Sequence, residues 1–156
     1  MRSQHSIFMR LAIQLARSQA GRPNGRPFGA VIVSGGRIIA RGFNRTMLDK
    51  DPTAHAEIVA IRRACRKAAT TELGQCVIYA SCQPCPMCLS AIYWSGIRTI
   101  YFGCSSARAE QVGFGDQALY EEVCAMGQGG HMTHHQVLPG EAFQAMREWK
   151  RQGGVV

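Results

Sequence analysis

Hydrophobic positions along the chain fall into short blocks whose spacing switches between helical and extended periods. Ile7, Phe8, Leu11, Ala12 and Leu15 recur at three- and four-residue intervals and predict an amphipathic helix over 3–20. A Gly/Pro-rich loop over 21–27 follows. The apolar runs 28–34 and 37–44 then flank Gly35-Gly36, the composition of a hairpin turn. The first of these runs is apolar on both faces, which predicts a strand covered on both sides. A loop over 45–50 leads to Asp51-Pro52-Thr53, a capping side chain with proline at the first helical position. Ile58, Ile61, Cys65 and Ala68 give the helix that follows a core stripe to about residue 70. Beyond it the pattern predicts a strand over 76–81, a helix from Cys85 to near Gly96 and a strand over 99–103. A loop over 104–116, a short helix over 117–123 and a glycine-rich break at 127–130 come next. A weak strand over 134–138 and a closing helix over 141–151 complete the chain. Helix and strand alternate after the hairpin, which predicts an α/β fold with a mixed sheet between helices.

The totals refine this picture in three ways. A chain of 156 residues with 46% hydrophobic and 18% charged positions is expected to form one domain over 1–156. No apolar run approaches the roughly 18 residues that a membrane span needs, and the N-terminus does not read as a signal-peptide core. Seven cysteines are an odd count. Cys65, Cys76, Cys104 and Cys124 lie among apolar neighbours and are expected as packed thiols, which points to a reducing compartment, the cytoplasm. The net charge of +8 raises the question of nucleic acid. The basic residues are scattered, however, and the one cluster, Arg62-Arg63 with Arg66-Lys67, has the spacing of a solvated helix face, so nucleic acid is not favoured.

The chemistry is carried by two segments, His55-Ala56-Glu57 and Pro84-Cys85-Pro86-Met87-Cys88. One imidazole and two thiolates from His55, Cys85 and Cys88 form a ligand set for tetrahedral zinc, with the fourth position kept for water in a catalytic site. Glu57 is not needed as a ligand and is placed to carry the proton of that water. Cys85 at a helix cap, with Pro86 at the first helical position, puts both sulfurs where the helix dipole favours thiolates. The alternative is a closed structural site with Cys82 as fourth ligand. Cys82 ends an apolar strand and is expected to point into the packing instead. His131, His134 and His135 are a second metal candidate, read more simply as a polar surface loop.

The two segments match H-x-E followed by P-C-x-x-C, the known signature of zinc nucleobase deaminases. The whole chain resembles the cytidine deaminase superfamily and, within it, the guanine deaminase branch. Pro27 to Val33 resembles the family's first strand, 51–58 and 79–88 its zinc segments, and Ala91-Ile92-Tyr93-Trp94 and Gly113-Phe114-Gly115-Asp116 narrow the likeness. Gln83 stands where the family usually has Glu, and the tail over 149–156 lacks a terminal tyrosine. The resemblance implies a three-layer α/β/α fold with a mixed five-stranded sheet and one zinc per subunit. It also implies a homodimer in which the segment over 131–156 closes the partner's site. The implied reaction is hydrolytic deamination of guanine to xanthine and ammonia. Asn44 is implied as a base-reading side chain, Phe28 as a ring contact, Ala56 as a backbone N–H donor to the base and Asp116 as acceptor for its N–H groups. The simpler readings are a turn Asn, a core Phe and a loop-capping Asp. A tRNA adenosine deaminase, a deaminase of guanosine, cytosine or a triazine, and a zinc-stabilised binding module without turnover are the alternatives.

Overall fold

The computed structural model describes residues 4–125, 132 and 134–153. The glycine-rich break at 127–130 and His131 lie outside the described residues. The chain divides into two compact units, Met1–Tyr120 and Glu121–Val156. The first unit contains α1 (Gln4–Arg17), β1 (Gly29–Ser34), β2 (Arg37–Phe43), α2 (Thr46–Asp49), α3 (Ala56–Ala68), β3 (Cys76–Cys82), α4 (Pro86–Trp94), β4 (Thr99–Cys104) and α5 (Ser106–Glu110). Helix α6 (Gln117–Ala125) follows, and the second unit carries α7 (Pro139–Arg151).

Four strands form one mixed sheet in the order β2-β1-β3-β4. Strand β1 pairs antiparallel with β2 and β3, and β3 pairs parallel with β4. The two-faced apolar run of β1 is therefore central, as its pattern predicts, with Gly29 to Val33 all buried. The even positions Ala30 and Ile32 join Ile78 and Ile92 in one core beneath α3 and α4. The odd positions Val31 and Val33 join Tyr79, Phe8 and Ala12 in a second core beneath α1. Alternation at period two thus sorts one strand's side chains into both cores.

Two glycines set how closely the helices approach. A Cβ on Gly29 would lie 2.3 Å from the carbonyl oxygen of Ala12 in α1. A Cβ on Gly42 in β2 would lie 2.2 Å from that of Ala56 and 2.7 Å from the nitrogen of Ala60 in α3. The close seat explains a difference from the predicted stripe of α3. Its buried face combines the small residues Ala56, Ala60 and Ala64 with Ile58 and Val59, so of the predicted stripe Ile58 is buried, Ile61 and Cys65 pack from the side and Ala68 is exposed.

Other departures have local causes. Helix α3 begins at Ala56 rather than at Pro52, because Asp51 turns its carboxylate back to accept from the N–H and hydroxyl of Thr53 at 2.8 and 2.6 Å. The fifth strand does not form among the described residues. Its segment, 134–138, has no ladder partner, Leu138 adopts a left-handed backbone with φ 51°, and Pro139 at once opens α7. All seven cysteines are free. Cys76 is buried and Cys65 and Cys104 half-buried, but Cys124 is exposed on α6 and is not a packed thiol.

Gly42→Ala is expected to destabilise the fold by at least about 1–3 kcal/mol, since the clash is with backbone that cannot rotate away. Urea unfolding checks it against Gly74→Ala, whose Cβ would meet its nearest neighbour at an ordinary 3.7 Å and should leave the midpoint unchanged.

Candidate functional site

One end of the sheet gathers the residues that the sequence singles out. Phe28 precedes β1, Asn44 follows β2, Gln83 follows β3 and Ser106 lies just past β4. Because β1 runs against its neighbours, its start meets the ends of the other three strands, and the N–H of Asn44 donates to the carbonyl of Phe28 at 3.1 Å. Ligand sites of open α/β sheets lie at such carboxyl ends. A cavity of about 520 Å³ opens here, lined by Phe28, Asn44, His55, Glu57, Cys82, Gln83, Cys85, Ser106, Phe114 and Asp116, with Arg26 and Lys50 also on its wall.

His55 is the N-cap residue of α3 and Cys85 that of α4, both in extended backbone, and Cys88 lies one turn into α4. The Nδ1 of His55 is 3.7 Å from the sulfur of Cys85 and 3.5 Å from that of Cys88. Zinc–sulfur and zinc–nitrogen bonds at tetrahedral angles put such ligand atoms roughly 3.6 Å apart. The three side chains therefore fit a zinc ion as they stand. Cys82 is not part of this group, though it lines the cavity instead of packing into the core.

The charges of the site follow from its hydrogen bonds. The Cys85 thiol is pulled down to about 4, first by the hydrogen bond from Cys88 and then by His55, against burial. Cys88, the donor in that bond and fully buried, is pushed up by the bond and by burial. His55 is raised, chiefly by Cys85. A doubly charged ion inverts this logic, deprotonating both thiols. Cys82 is pushed up to about 11, chiefly by burial, and remains a neutral thiol. Glu57 is buried in the first turn of α3, where burial holds its carboxyl above the usual range, and its Oε2 lies 3.5 Å from the Cys88 sulfur.

The remaining residues take up places around this centre. The ring of Phe28 meets that of Phe114 edge-on at 5.0 Å. Asn44 is buried, and its Oδ1 accepts from the N–H and hydroxyl of Thr46, which leaves the amide nitrogen as the group it can offer a ligand. Asp116 lines the cavity and accepts from the Ser106 hydroxyl. Ala56 is buried in the core and is not on the cavity wall, and its N–H belongs to the first turn of α3, where helices leave donors unpaired. His134 and His135 are exposed and not part of any metal-ligand group among the described residues. Ser106 is among the wall residues that sequence patterning misses, with Arg26, Thr46, Met47, Lys50 and Ala109. The signal for its turn was Ser105, which caps α5 by accepting from the N–H of Arg108.

Fold and site together define a hydrolytic deaminase centred on a His/Cys/Cys metal group. The family model of the cytidine and deoxycytidylate deaminase zinc-binding region matches residues 2–104, and the chain belongs to that family. The guanine deaminase of Bacillus subtilis (strain 168) is 38% identical over 146 residues, 94% of each chain. An X-ray structure of guanine deaminase from Bacillus subtilis superposes with a TM-score of 0.90, covering 94% of both chains at 38% identity. The tRNA-specific adenosine deaminase of Agrobacterium fabrum is 39% identical over 122 residues, 78% of this chain and 80% of that one.

Metal analysis should find no tightly held zinc in Cys85→Ala and full zinc in Cys82→Ala. Zinc kept by the first, or lost from the second, would overturn the ligand set.

Proposed function

We propose that this chain is a guanine deaminase, hydrolysing free guanine to xanthine and ammonia with one zinc per subunit held by His55, Cys85 and Cys88. The observation that carries this reading is a cavity whose wall brings His55, Cys85 and Glu57 together with Asn44 and Asp116, Cys88 completing the ligand group. Zinc in such a site supplies an activated water at neutral pH. Glu57, buried beside the ligands, would take one proton of the water and deliver it to the ring nitrogen as the oxygen adds to the amine-bearing carbon. It would then take the second from the new hydroxyl and deliver it to the amine as the C–N bond breaks. Asn44 offers its amide N–H groups to the base and Phe28 packs against the ring. Ala56 presents a backbone N–H. Asp116, an acceptor only when ionised, selects a base edge rich in N–H groups, which guanine has and adenine and cytosine lack in that pattern.

The similarity to a guanine deaminase over 94% of both chains supports this substrate. The second reading, deamination of an adenosine in tRNA, draws on the similarity to tRNA-specific adenosine deaminases and on the net charge of +8. The seven free cysteines support a reducing compartment and hence the cytoplasm.

We also propose that the chain works as one deaminase domain in a homodimer, with the segment over 131–156 closing the partner's site. Helix α4 is apolar nearly all round, leaving Leu89, Tyr93 and Trp94 exposed, Trp94 by 79%. Helix α7 exposes Phe143, Met146 and Trp149 at helical spacing. Exposed apolar faces of this kind mark contact surfaces.

Ammonia release from a panel of free bases, nucleosides and a tRNA anticodon loop should be fastest with guanine. Glu57→Gln should keep its zinc and fold and lose roughly 10²–10⁴-fold in turnover. Asp116→Ala should lower kcat/KM for guanine by roughly 10- to 150-fold, the worth of a hydrogen bond to a charged group. Preference for the tRNA loop, or near-normal turnover in zinc-loaded Glu57→Gln, defeats the reading. Light scattering should give the mass of two chains, and a monomer would dispose of the assembly.

A further inference from the structure

Ser106 is the point where two parts of the cavity wall meet. Its backbone N–H donates to Oε1 of Gln83 at 3.2 Å, and its hydroxyl donates to Oδ1 of Asp116. Gln83 stands two residues before Cys85, and its own N–H is fixed on the carbonyl of Cys104 at 2.8 Å. Gln83, Ser106 and Asp116 all line the cavity. One serine therefore ties the segment that carries the two sulfur ligands to the carboxylate of the 113–116 loop.

The rest of that loop is anchored by other means. The N–H groups of Gly113 and Phe114 donate to the carbonyls of Glu110 and Ala109 at 2.9 and 3.0 Å, and the Phe114 ring meets Phe28. These contacts fix the backbone up to Phe114. The Asp116 side chain lies beyond a second glycine, Gly115, and it is the Ser106 hydroxyl that engages its Oδ1. An ionised carboxylate has two oxygens and only accepts, so a donor on Oδ1 leaves Oδ2 for a ligand.

We infer that Ser106 is a positioning residue for Asp116, holding one carboxylate oxygen so that the other is presented to the substrate at a fixed distance from the metal end of the cavity. The inference rests on the guanine reading above. Ser106 acts through Asp116, the group its hydroxyl is bonded to. Its loss removes orientation of a binding group, which raises KM and leaves kcat in place. Any hydroxyl at this position serves, so threonine substitutes for serine and alanine does not.

The test is steady-state kinetics on guanine for the parent, Ser106→Ala, Ser106→Thr, Asp116→Ala and the Ser106→Ala/Asp116→Ala double variant, with zinc content and melting temperature measured for each. Ser106→Ala should raise KM about 2- to 13-fold, the effect of one ordinary hydrogen bond, at unchanged kcat. Ser106→Thr should restore the parent KM. In the Asp116→Ala background, Ser106→Ala should have no further effect, because the group it acts through is gone. Independent, additive effects would overturn the inference, as would a Ser106→Ala enzyme equal to the parent, a threonine variant that fails to restore it, or loss of zinc or fold in Ser106→Ala. A parent that leaves guanine intact defeats the guanine reading and this inference with it. A parent that deaminates guanine and is indifferent to Ser106 defeats this inference alone.

Discussion

Two helix N-termini aimed at one point are the arrangement on which the site depends. His55 and Cys85 occupy the N-caps of α3 and α4, yet neither side chain caps its own helix. Each is turned instead toward the other, and the unpaired N–H groups of two first turns are brought close together. Each helix start carries the equivalent of roughly half a positive charge, so such a meeting is unfavourable unless anions occupy it. The Cys85 thiolate answers that requirement, and with a doubly charged ion bound the Cys88 sulfur would join it as a second thiolate. The composition of the centre thus follows as much from the field of the backbone as from the preferences of a metal.

The sheet supplies the geometry. Antiparallel pairing of β1 with both neighbours brings its first residue level with the ends of β2 and β3, and parallel pairing carries β4 to the same edge. Four connections therefore leave or enter the sheet at one end, and the two short helices α2 and α5 stand among them. The Arg45–Asp49 ion pair across α2, at 2.6 Å, is screened by solvent and contributes little. Polar contacts to backbone steady these connections, among them the Asn44 side chain accepting from the Thr46 N–H and the Ser105 cap of α5.

Much of this was legible in the sequence because local chemistry and tertiary role coincide. The Cys85-Pro86 start of α4, the two-faced run of β1 and the Gly35-Gly36 hairpin all appear where their residue types predict. The misreadings arise where one side chain has two local options. Asp51 had the composition of a helix cap but closes a turn on Thr53, and the helix starts at the metal ligand instead. Helices of four and five residues, α2 and α5, are about one turn long and leave no periodicity to detect. The 134–138 segment carries two histidines and a glutamine, too weak a pattern to fix pairing, and forms no strand among the described residues. The contact between Ser106 and Asp116 joins two polar loop residues ten positions apart, which no spacing rule encodes.

The glycines on either side of the first ladder rungs have a mechanical consequence. Gly29 pairs with Phe43 and Ala30 with Gly42, so at this end of the sheet one glycine faces α1 and the other α3. Side chains elsewhere hold a helix and a sheet well apart, but here both helix backbones rest on strand backbone. The sheet is reduced at this corner to a plate one peptide thick, clamped from above and below. Close-packed layers transmit strain instead of absorbing it. A displacement of α1 near Ala12 and Ala16, on the face away from the metal ligands, passes through that plate to the first turn of α3, and the far side of the molecule becomes part of the mounting of the active site.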